Sequence, residues 1–313
     1  MGYPPESILN YFDQNPDGTL VGYLAGIIAQ PAVFTTSLRE QDRLKLSIDE
    51  LNSAIDMTPD CESHSKILQI SETAVLKVGW DVKMGEAEAL ILVAAKTKVP
   101  VPRVLSAYTI GEIGFILMSK VEGETLYSYL DSMSPEELQV IFSQLKSYVL
   151  EWRKLDSSFI GSVGYGPCQD ILFQHPRDYK SRKQYGPFNS FEDYKLGVID
   201  ALRSSRPAGV WGEKEQALKE RILSFPDDGS TRPGVLTHGD LHPGNIIVKD
   251  GLVSGIIDWG AAGYSPPERE LFEAKRTLDK FWIEKIHSFI PILPKKYELW
   301  EDVDRSMMRY APL

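Results

Sequence analysis

Cysteine is scarce in this sequence, which contains only Cys61 and Cys168 among its 313 residues. Two cysteines without C-x-x-C spacing cannot build the disulfide framework that is typical of small secreted proteins. We therefore expect both to be plain thiols in a reducing compartment.

Long hydrophobic runs are also absent. The longest, residues 22–34 and 87–95, are too short to cross a bilayer as a helix, and Pro31 interrupts the first. The N-terminus lacks a basic region followed by an apolar segment, and Glu6 stands where a myristoylation signal has Ser or Thr. The sequence thus predicts a cytoplasmic protein without a membrane partner.

Basic residues are fewer than acidic ones: the sequence has 34 Lys and Arg against 44 Asp and Glu, a formal net charge of -10. Such a surface repels polyanions, so we expect no nucleic-acid partner and instead a cationic or neutral small molecule. The apolar content of 42% and charged content of 25% are typical of a globular fold. A chain of this length favours two lobes.

The hydrophobic pattern of the first half of the chain changes near Lys66. Residues 1–60 show no sustained period and predict a helical or irregular N-terminal extension. Residues 61–121 then predict a small β-rich N-lobe: a hairpin over "KILQIS" and "TAVLKVG", a helix over "GEAEALILVAAK" with Leu90, Val93 and Ala94 on one face, and two strands around a turn at 111–114.

Residues 122–313 predict a larger helical C-lobe. Ser134 is a suitable N-cap, with Pro135 at the first helical position and Glu137 completing a capping box. The apolar side chains that follow at helical spacing are Leu138, Ile141, Phe142, Leu145, Tyr148, Trp152 and Leu155. Helical patterns resume at Phe191 and after Pro267.

The stretch "LTHGDLHPGNIIVKDGLVSGIIDWG" places polar residues beside buried strands, in what we interpret as a strand-turn-strand unit. His238, Asp240 and Asn245 match the kinase catalytic-loop pattern of His-x-Asp with Asn five residues later, and Asp258 follows after a short hairpin. Phosphoryl transfer from ATP needs a carboxylate near the acceptor hydroxyl and oxygen ligands for Mg²⁺. The spacing therefore predicts a phosphotransferase site.

The motifs "HGDLHPGN" and "GIIDWG" resemble the aminoglycoside phosphotransferase and choline kinase-like family of small-molecule kinases. The resemblance extends through "AVLKVG", "EAEAL", "VPVPRVL" and "FILMSKVEGETL", and covers roughly residues 66–273. "FIGSVGYGP" and "GPFNSFEDY" resemble its fungal-type branch. The resemblance implies an α+β, two-lobed protein-kinase-like fold and an enzyme that transfers the γ-phosphate of ATP, with Mg²⁺, to a hydroxyl of a small molecule such as a cationic amine or a sugar.

The resemblance also implies roles for particular residues. Asp240 is expected to be the catalytic base, in a loop that His238 braces. Asn245 and Asp258 are expected to ligate Mg²⁺. The residues expected to bind ATP are Lys77, which reaches the α- and β-phosphates, its partner Glu86 or alternatively Glu88, and the hinge residues Met118, Ser119 and Val121 at 118–121.

Two alternatives stay open. The segment "CESHSKILQIS", where such kinases cover the phosphates, lacks glycine and leaves Ser63, Ser65 or neighbours to supply backbone amides, which favours a catalytically silent kinase fold that binds a small molecule or partner. His238, Asp240 and His242 alternate as in a metal-hydrolase site. That zinc hypothesis is the weaker one, because Pro243-Gly244 breaks the strand and few other histidines exist.

Overall fold

The computed structural model describes residues 4–59, 65–174, 183–226, 234–276, 279–291 and 298–309. The chain divides into two compact units. The first comprises Met1–Leu92 and Val101–Val121, and the second comprises Val93–Pro100 and Glu122–Leu313.

The first unit contains an antiparallel sheet with the strand order β1-β5-β6-β4-β3-β2. Its strands are β1 (Val33–Phe34), β2 (Ile55–Asp56), β3 (Ser65–Gln69), β4 (Ala74–Gly79), β5 (Val104–Ile110) and β6 (Ile113–Ser119). The strands alternate between faces as period-2 geometry requires, so that Leu76 and Val78 of β4 are buried while Lys77 faces the other way. The hairpin predicted over "KILQIS" and "TAVLKVG" is thus confirmed at β3–β4, and the two strands predicted around the turn at 111–114 are confirmed at β5–β6.

The helices of the first unit are α1 (Glu6–Gln14), α2 (Leu20–Ile27), α3 (Ile48–Asn52) and α4 (Met84–Lys96), the last of which ends in the second unit. The predicted helix at α4 is confirmed, and Ala87, Leu90 and Val93 are buried along it. Ala94 is exposed, because it lies one turn from the end of the helix and 100° from Val93.

Residues before position 60 pack into the first unit rather than lying apart from it. Ile8, Leu24 and Leu51 are buried in one apolar cluster with Leu76 and Phe115 of the sheet. Two of the strands, β1 and β2, also come from this part of the chain and lie at opposite ends of the sheet.

The second unit has short sheets in the orders β11-β10-β7 and β12-β9-β8. Its strands are β7 (Glu124–Thr125), β8 (Asp156–Ser157), β9 (Gly234–Thr237), β10 (Ile246–Lys249), β11 (Leu252–Ile256) and β12 (Gly263–Ser265). The strand interpretation of residues 235–258 is confirmed, but β9 and β10 pair with different strands instead of with each other.

The helices of the second unit are α5 (Leu126–Tyr129), α6 (Pro135–Trp152), α7 (Phe191–Ser204), α8 (Glu213–Leu223), α9 (Arg269–Ala274), α10 (Lys280–Lys285) and α11 (Glu298–Met308). Helix α6 begins as predicted: Ser134 Oγ accepts the Glu137 N–H, and the Glu137 carboxylate accepts the Ser134 N–H. The predicted apolar stripe is buried except that Tyr148 is half-buried and Leu155 lies beyond the end of the helix.

The core of the second unit is rich in aromatic rings. Tyr194, Trp300 and Phe272 are buried in one cluster with apolar residues of α7, α8 and α11.

In the described part of the chain, no helix is long and apolar enough to cross a membrane. Cys168 is a free thiol against this cluster, whereas Cys61 lies outside the described residues.

Candidate active site

The loop between β9 and β10 carries the predicted catalytic sequence. It leaves one small sheet at Thr237 and enters the other at Ile246 after a 3₁₀ turn, Pro243–Asn245. Gly239 has φ +80, and a Cβ there would lie 2.6 Å from the Ala261 carbonyl oxygen. Only glycine fits this conformation and this close approach.

Asp240 and Asn245 are joined directly within this loop. The Asn245 Nδ2 donates to the Asp240 carbonyl oxygen at 2.9 Å and to Asp240 Oδ2 at 3.3 Å. Asn245 is buried, whereas the Asp240 side chain is 54% exposed. Because the amide nitrogen is used in these bonds, the oxygen Oδ1 is the atom of Asn245 suited to a metal ion.

Asp258 lies next to the same loop through its neighbour Ile257. The Ile257 N–H donates to the Asn245 carbonyl at 2.9 Å, and the Ile257 carbonyl lies 3.0 Å from His238 Nε2. Asp258 itself adopts left-handed backbone angles, φ 59 and ψ 65. For a residue with a Cβ this conformation is strained, and such strain is concentrated at functional sites.

His238 is buried with both ring nitrogens used inside the loop. Nδ1 accepts the Asp240 N–H at 3.2 Å, so Nε2 carries the proton and donates to Ile257. Burial lowers the pKa of His238, against the opposing charges of Glu270 and Asp240. A neutral imidazole with this bonding joins the Asp240 N–H to the Ile257 carbonyl.

His242 lies on the exposed side of the loop, with Nε2 3.7 Å from Asp240 Oδ2. Its pKa is raised, first by the adjacent Asp240 carboxylate and, against a smaller effect of burial, by the charge of Asp258. Both carboxylates therefore act on the same imidazole. Among the described residues, no group of three or more His, Cys, Asp or Glu is arranged to hold a metal ion.

Glu270 of α9 anchors the loop from the protein interior, a role that the sequence did not suggest. Its carboxylate accepts the N–H groups of His238 at 2.9 Å and Gly239 at 3.3 Å, and Trp152 Nε1–H at 3.0 Å. The only signal in the sequence is a charged run, "ERE", directly before apolar residues. Charged runs of this kind usually lie on solvated helix faces.

The next residue, Arg269, is also buried and contacts two carboxylates. Its Nε lies 3.2 Å from Asp170 Oδ2 and 3.1 Å from Glu273 Oε1. Burial alone would lower the pKa of Arg269, but these carboxylates raise it above its ordinary value. One guanidinium thus lies between two buried acids. Burial raises the pKa of Glu273 to about 8, although the charge of Arg269 acts to lower that pKa.

A cavity of about 420 Å³ opens beside Asp240 within the second unit. Its lining is mostly polar and comprises Gln169, Ile171, Gln174, Gly239, Asp240, Leu241, His242, Ala261, Glu273, Ala274 and Arg276. Cavities of this size bind small molecules.

In the first unit, Lys77 pairs with Glu86 and not with Glu88. Lys77 Nζ lies 2.8 Å from Glu86 Oε2 and 2.9 Å from Oε1, and the two side chains are only 12% and 2% exposed. The two residues come from β4 and α4, so this ion pair joins the sheet to the helix.

The expected hinge residues lie at and after the end of β6. Met118 is buried opposite Val75, and Ser119 exchanges two hydrogen bonds with the backbone of Arg103 at 2.8 and 2.9 Å. Val121 follows the strand and is half-buried. Of the glycine-free segment, residues 61–64 lie outside the described residues, and Ser65 begins β3.

A sequence model of the phosphotransferase enzyme family matches residues 66–283. Two relatives are aminoglycoside 3'-phosphotransferases, from Enterococcus faecalis (25% identical) and Staphylococcus aureus (24% identical). Each match spans 210 residues, 64% of this chain and 67% of the relative.

Solved structures of similar fold include a thermostable mutant of aminoglycoside phosphotransferase APH(4)-Ia, with a TM-score of 0.54, 15% identity and coverage of 81% of this chain and 84% of that one. A second is the streptomycin–ATP ternary complex of APH(2'')-IIa, with a TM-score of 0.53, 18% identity and coverage of 82% and 81%. These likenesses confirm the predicted two-lobed protein-kinase-like fold. The fungal-type branch stays a prediction.

Proposed function

Because the chain belongs to the phosphotransferase enzyme family, we propose that it transfers the γ-phosphoryl group of ATP to a hydroxyl of a small molecule in the cytoplasm. The observation that carries this proposal is the bonded set of Asp240, Asn245 and the backbone next to Asp258. The similar fold of a neighbour solved with streptomycin and ATP supports ATP as the donor.

Asp240 is the proposed base that orients the acceptor hydroxyl and takes its proton. Its carboxylate is half-exposed and lines the 420 Å³ cavity, so an acceptor in the cavity could reach it. Asn245 fixes the Asp240 backbone, while Glu270 fixes the two residues before it. Positioning of this kind accounts for much of the catalysis in phosphoryl transfer.

Asn245 and Asp258 fit a magnesium ion by their chemistry. Mg²⁺ prefers hard oxygen ligands and is usually held by one or two protein groups together with phosphates and water. The Asn245 Oδ1 and the Asp258 carboxylate provide two such groups, and the Ile257 N–H bond to the Asn245 carbonyl joins the two backbone segments. Bound Mg²⁺ would neutralise charge on the transferring phosphate.

Lys77 is the proposed cation for the α- and β-phosphates, and Glu86 holds its ammonium group in place. Backbone groups of Met118, Ser119 and Val121 are proposed to bind adenine. For the acceptor we propose a polar small molecule such as a sugar or a cationic amine, because the cavity beside Asp240 is lined by two glutamines and several charged groups.

Thermal stability measured with ATP, with and without Mg²⁺, tests the proposal. A ligand at about 100 times its Kd should stabilise the chain by about 2.7 kcal/mol, and most of this should require Mg²⁺. Asp258→Ala should lose the Mg²⁺-dependent part, whereas Asp250→Ala, in the exposed turn after β10, should keep it. An unchanged Tm of the original protein at millimolar ATP and Mg²⁺ would refute the enzyme and leave a silent kinase fold.

A further inference from the structure

Helix α4 carries a second buried carboxylate, Glu88, which is only 7% exposed. Its Oε1 accepts hydrogen bonds from the hydroxyls of Thr35 and Thr36, the latter at 3.2 Å, and from the Ser37 N–H at 3.3 Å. Its Oε2 accepts the Ser37 hydroxyl. One carboxylate thus binds three consecutive residues of the N-terminal sixty.

The segment that contacts Glu88 is itself fixed to the sheet. Val33 and Phe34 form β1 and pair with Thr109 and Tyr108 of β5. The pairing continues with the Thr35 N–H, which donates to the Ala107 carbonyl at 3.1 Å. Residues 33–37 therefore join the edge of the sheet to α4, and we refer to them as the clamp segment.

Glu86 and Glu88 are two residues apart, which corresponds to about 200° around a helix. Glu86 contacts Lys77 of β4 from one side of α4. Glu88, on the opposite side of the helix, binds the clamp segment. The neighbouring Ala87 and Ala89 are buried, but their side chains are too small to resist rotation strongly. Near the start of α4 the two carboxylates therefore supply the directional polar contacts, while the buried Leu90 and Val93 pack further along the helix.

We propose that Glu88 is a positioning residue: by binding the clamp segment it fixes the rotation of α4 and keeps Glu86 on Lys77. A rotation that moved Glu86 away would also leave a buried carboxylate without its four donors, which is costly. The consequence for nucleotide affinity depends on the proposed function, since it requires Lys77 to contact ATP.

Hydrogen–deuterium exchange of the full chain tests the restraint without any ligand. Glu88→Ala should speed exchange of residues 84–96 by about tenfold, because several charge-assisted bonds are lost. Glu88→Gln should stay near the original rate, since its amide oxygen still accepts and its NH₂ can donate to the Ser37 hydroxyl. The control is Glu50→Ala, which removes the α3 capping box in the same unit. Equal exchange in Glu88→Ala and Glu50→Ala would overturn the proposal.

A double-mutant cycle on ATP affinity tests the link to Lys77. Glu88→Ala should raise the Kd for Mg²⁺-ATP roughly 3- to 30-fold, but should add little in a Glu86→Ala background, because the group it positions is gone. Equal effects in both backgrounds would refute the link. If the original protein binds no ATP, the proposed function fails, and the exchange experiment alone decides whether Glu88 restrains α4.

Discussion

At the scale of single residues, the polar groups of the second unit fall into two classes. His238 and Glu270 are buried and have polar atoms bonded within the protein, so they shape the loop between β9 and β10. Asp240 is half-exposed and borders a cavity, so its carboxylate can meet another molecule. The sequence motif identified His238, Asp240 and Asn245, but it could not identify Glu270, because a distant carboxylate under the loop leaves no local pattern.

Asp240→Asn should lower kcat by about 10²- to 10⁴-fold, because the amide cannot take the acceptor proton. The Tm should change little, since the bond from Asn245 to the Asp240 carbonyl uses the backbone. The measurement is steady-state turnover on an identified acceptor, with Asp250→Asn in the exposed turn as the matched control. Full activity of Asp240→Asn would disprove its assignment as the base.

Glu273→Gln should change how stability depends on pH. Burial raises the pKa of Glu273 to about 8, above its ordinary value of 4.5, so the folded protein holds a proton that the unfolded chain releases. Its contribution to stability is complete below about pH 4.5 and is lost as the pH rises through about 8. Glu273→Gln keeps a neutral group, so near pH 9 it should be more stable than the original protein, by up to about 4 kcal/mol.

Urea unfolding at pH 5, 7 and 9 measures this difference. The exposed Glu284→Gln provides a control with the same chemical change on α10. A free-energy difference between Glu273→Gln and the original protein that stays constant from pH 5 to 9 would contradict the protonated state.

At the scale of elements, the helix starts were the most predictable features. Ser134, Pro135 and Glu137 predict the start of α6 because a capping box is a local interaction over four residues. The pairing of β9 was not predictable in the same way. It bonds with β8 and β12, which lie on either side of it in the chain, and these partners are only two and three residues long. Such short strands have no period to detect.

Alanine substitutions at Ser134, the N-cap of α6, and at Ser143 within it should therefore differ in their effect on stability. Ser134→Ala should lower the free energy of unfolding by about 1 kcal/mol, because the loss of the serine hydroxyl leaves the Glu137 N–H without its acceptor. Ser143→Ala should be neutral or slightly stabilising, since the Ser143 hydroxyl bonds only to Gln139 of the same helix, donating to its carbonyl at 2.7 Å and accepting from its Nε2 at 3.4 Å. Chemical denaturation measures both, and a larger loss at Ser143 than at Ser134 would contradict the capping argument.

At the scale of the whole molecule, the family match and the folded unit do not begin at the same place. The match starts at residue 66, yet strands β1 and β2 and the buried Ile8 and Leu24 come from earlier residues. The strand patterns predicted the β3–β4 and β5–β6 hairpins of the sheet. They could not predict the packing of residues 4–59, because this contact is non-local and the segment lacks a sustained period.

A chain without residues 1–60 should therefore aggregate. The loss of β1 and β2 would leave the edges of β5 and β3 unpaired, and the loss of Leu24 and Leu51 would expose the apolar residues that they cover. Size-exclusion chromatography and circular dichroism compare it with a control chain that begins at Pro4. A monomeric deletion variant with an unchanged Tm would show that the N-terminal residues are dispensable for the first unit.

The order of the sheet also bears on synthesis at the ribosome. Strands β1 and β2 are made first, yet each bonds to a strand that is translated later, and Phe34 must wait for Tyr108. At ordinary elongation rates the 69 residues between the end of β1 and the start of β5 take roughly 4 to 14 seconds to translate. During this interval the nascent chain carries apolar side chains without their partners, so we expect it to be a client of ribosome-associated chaperones.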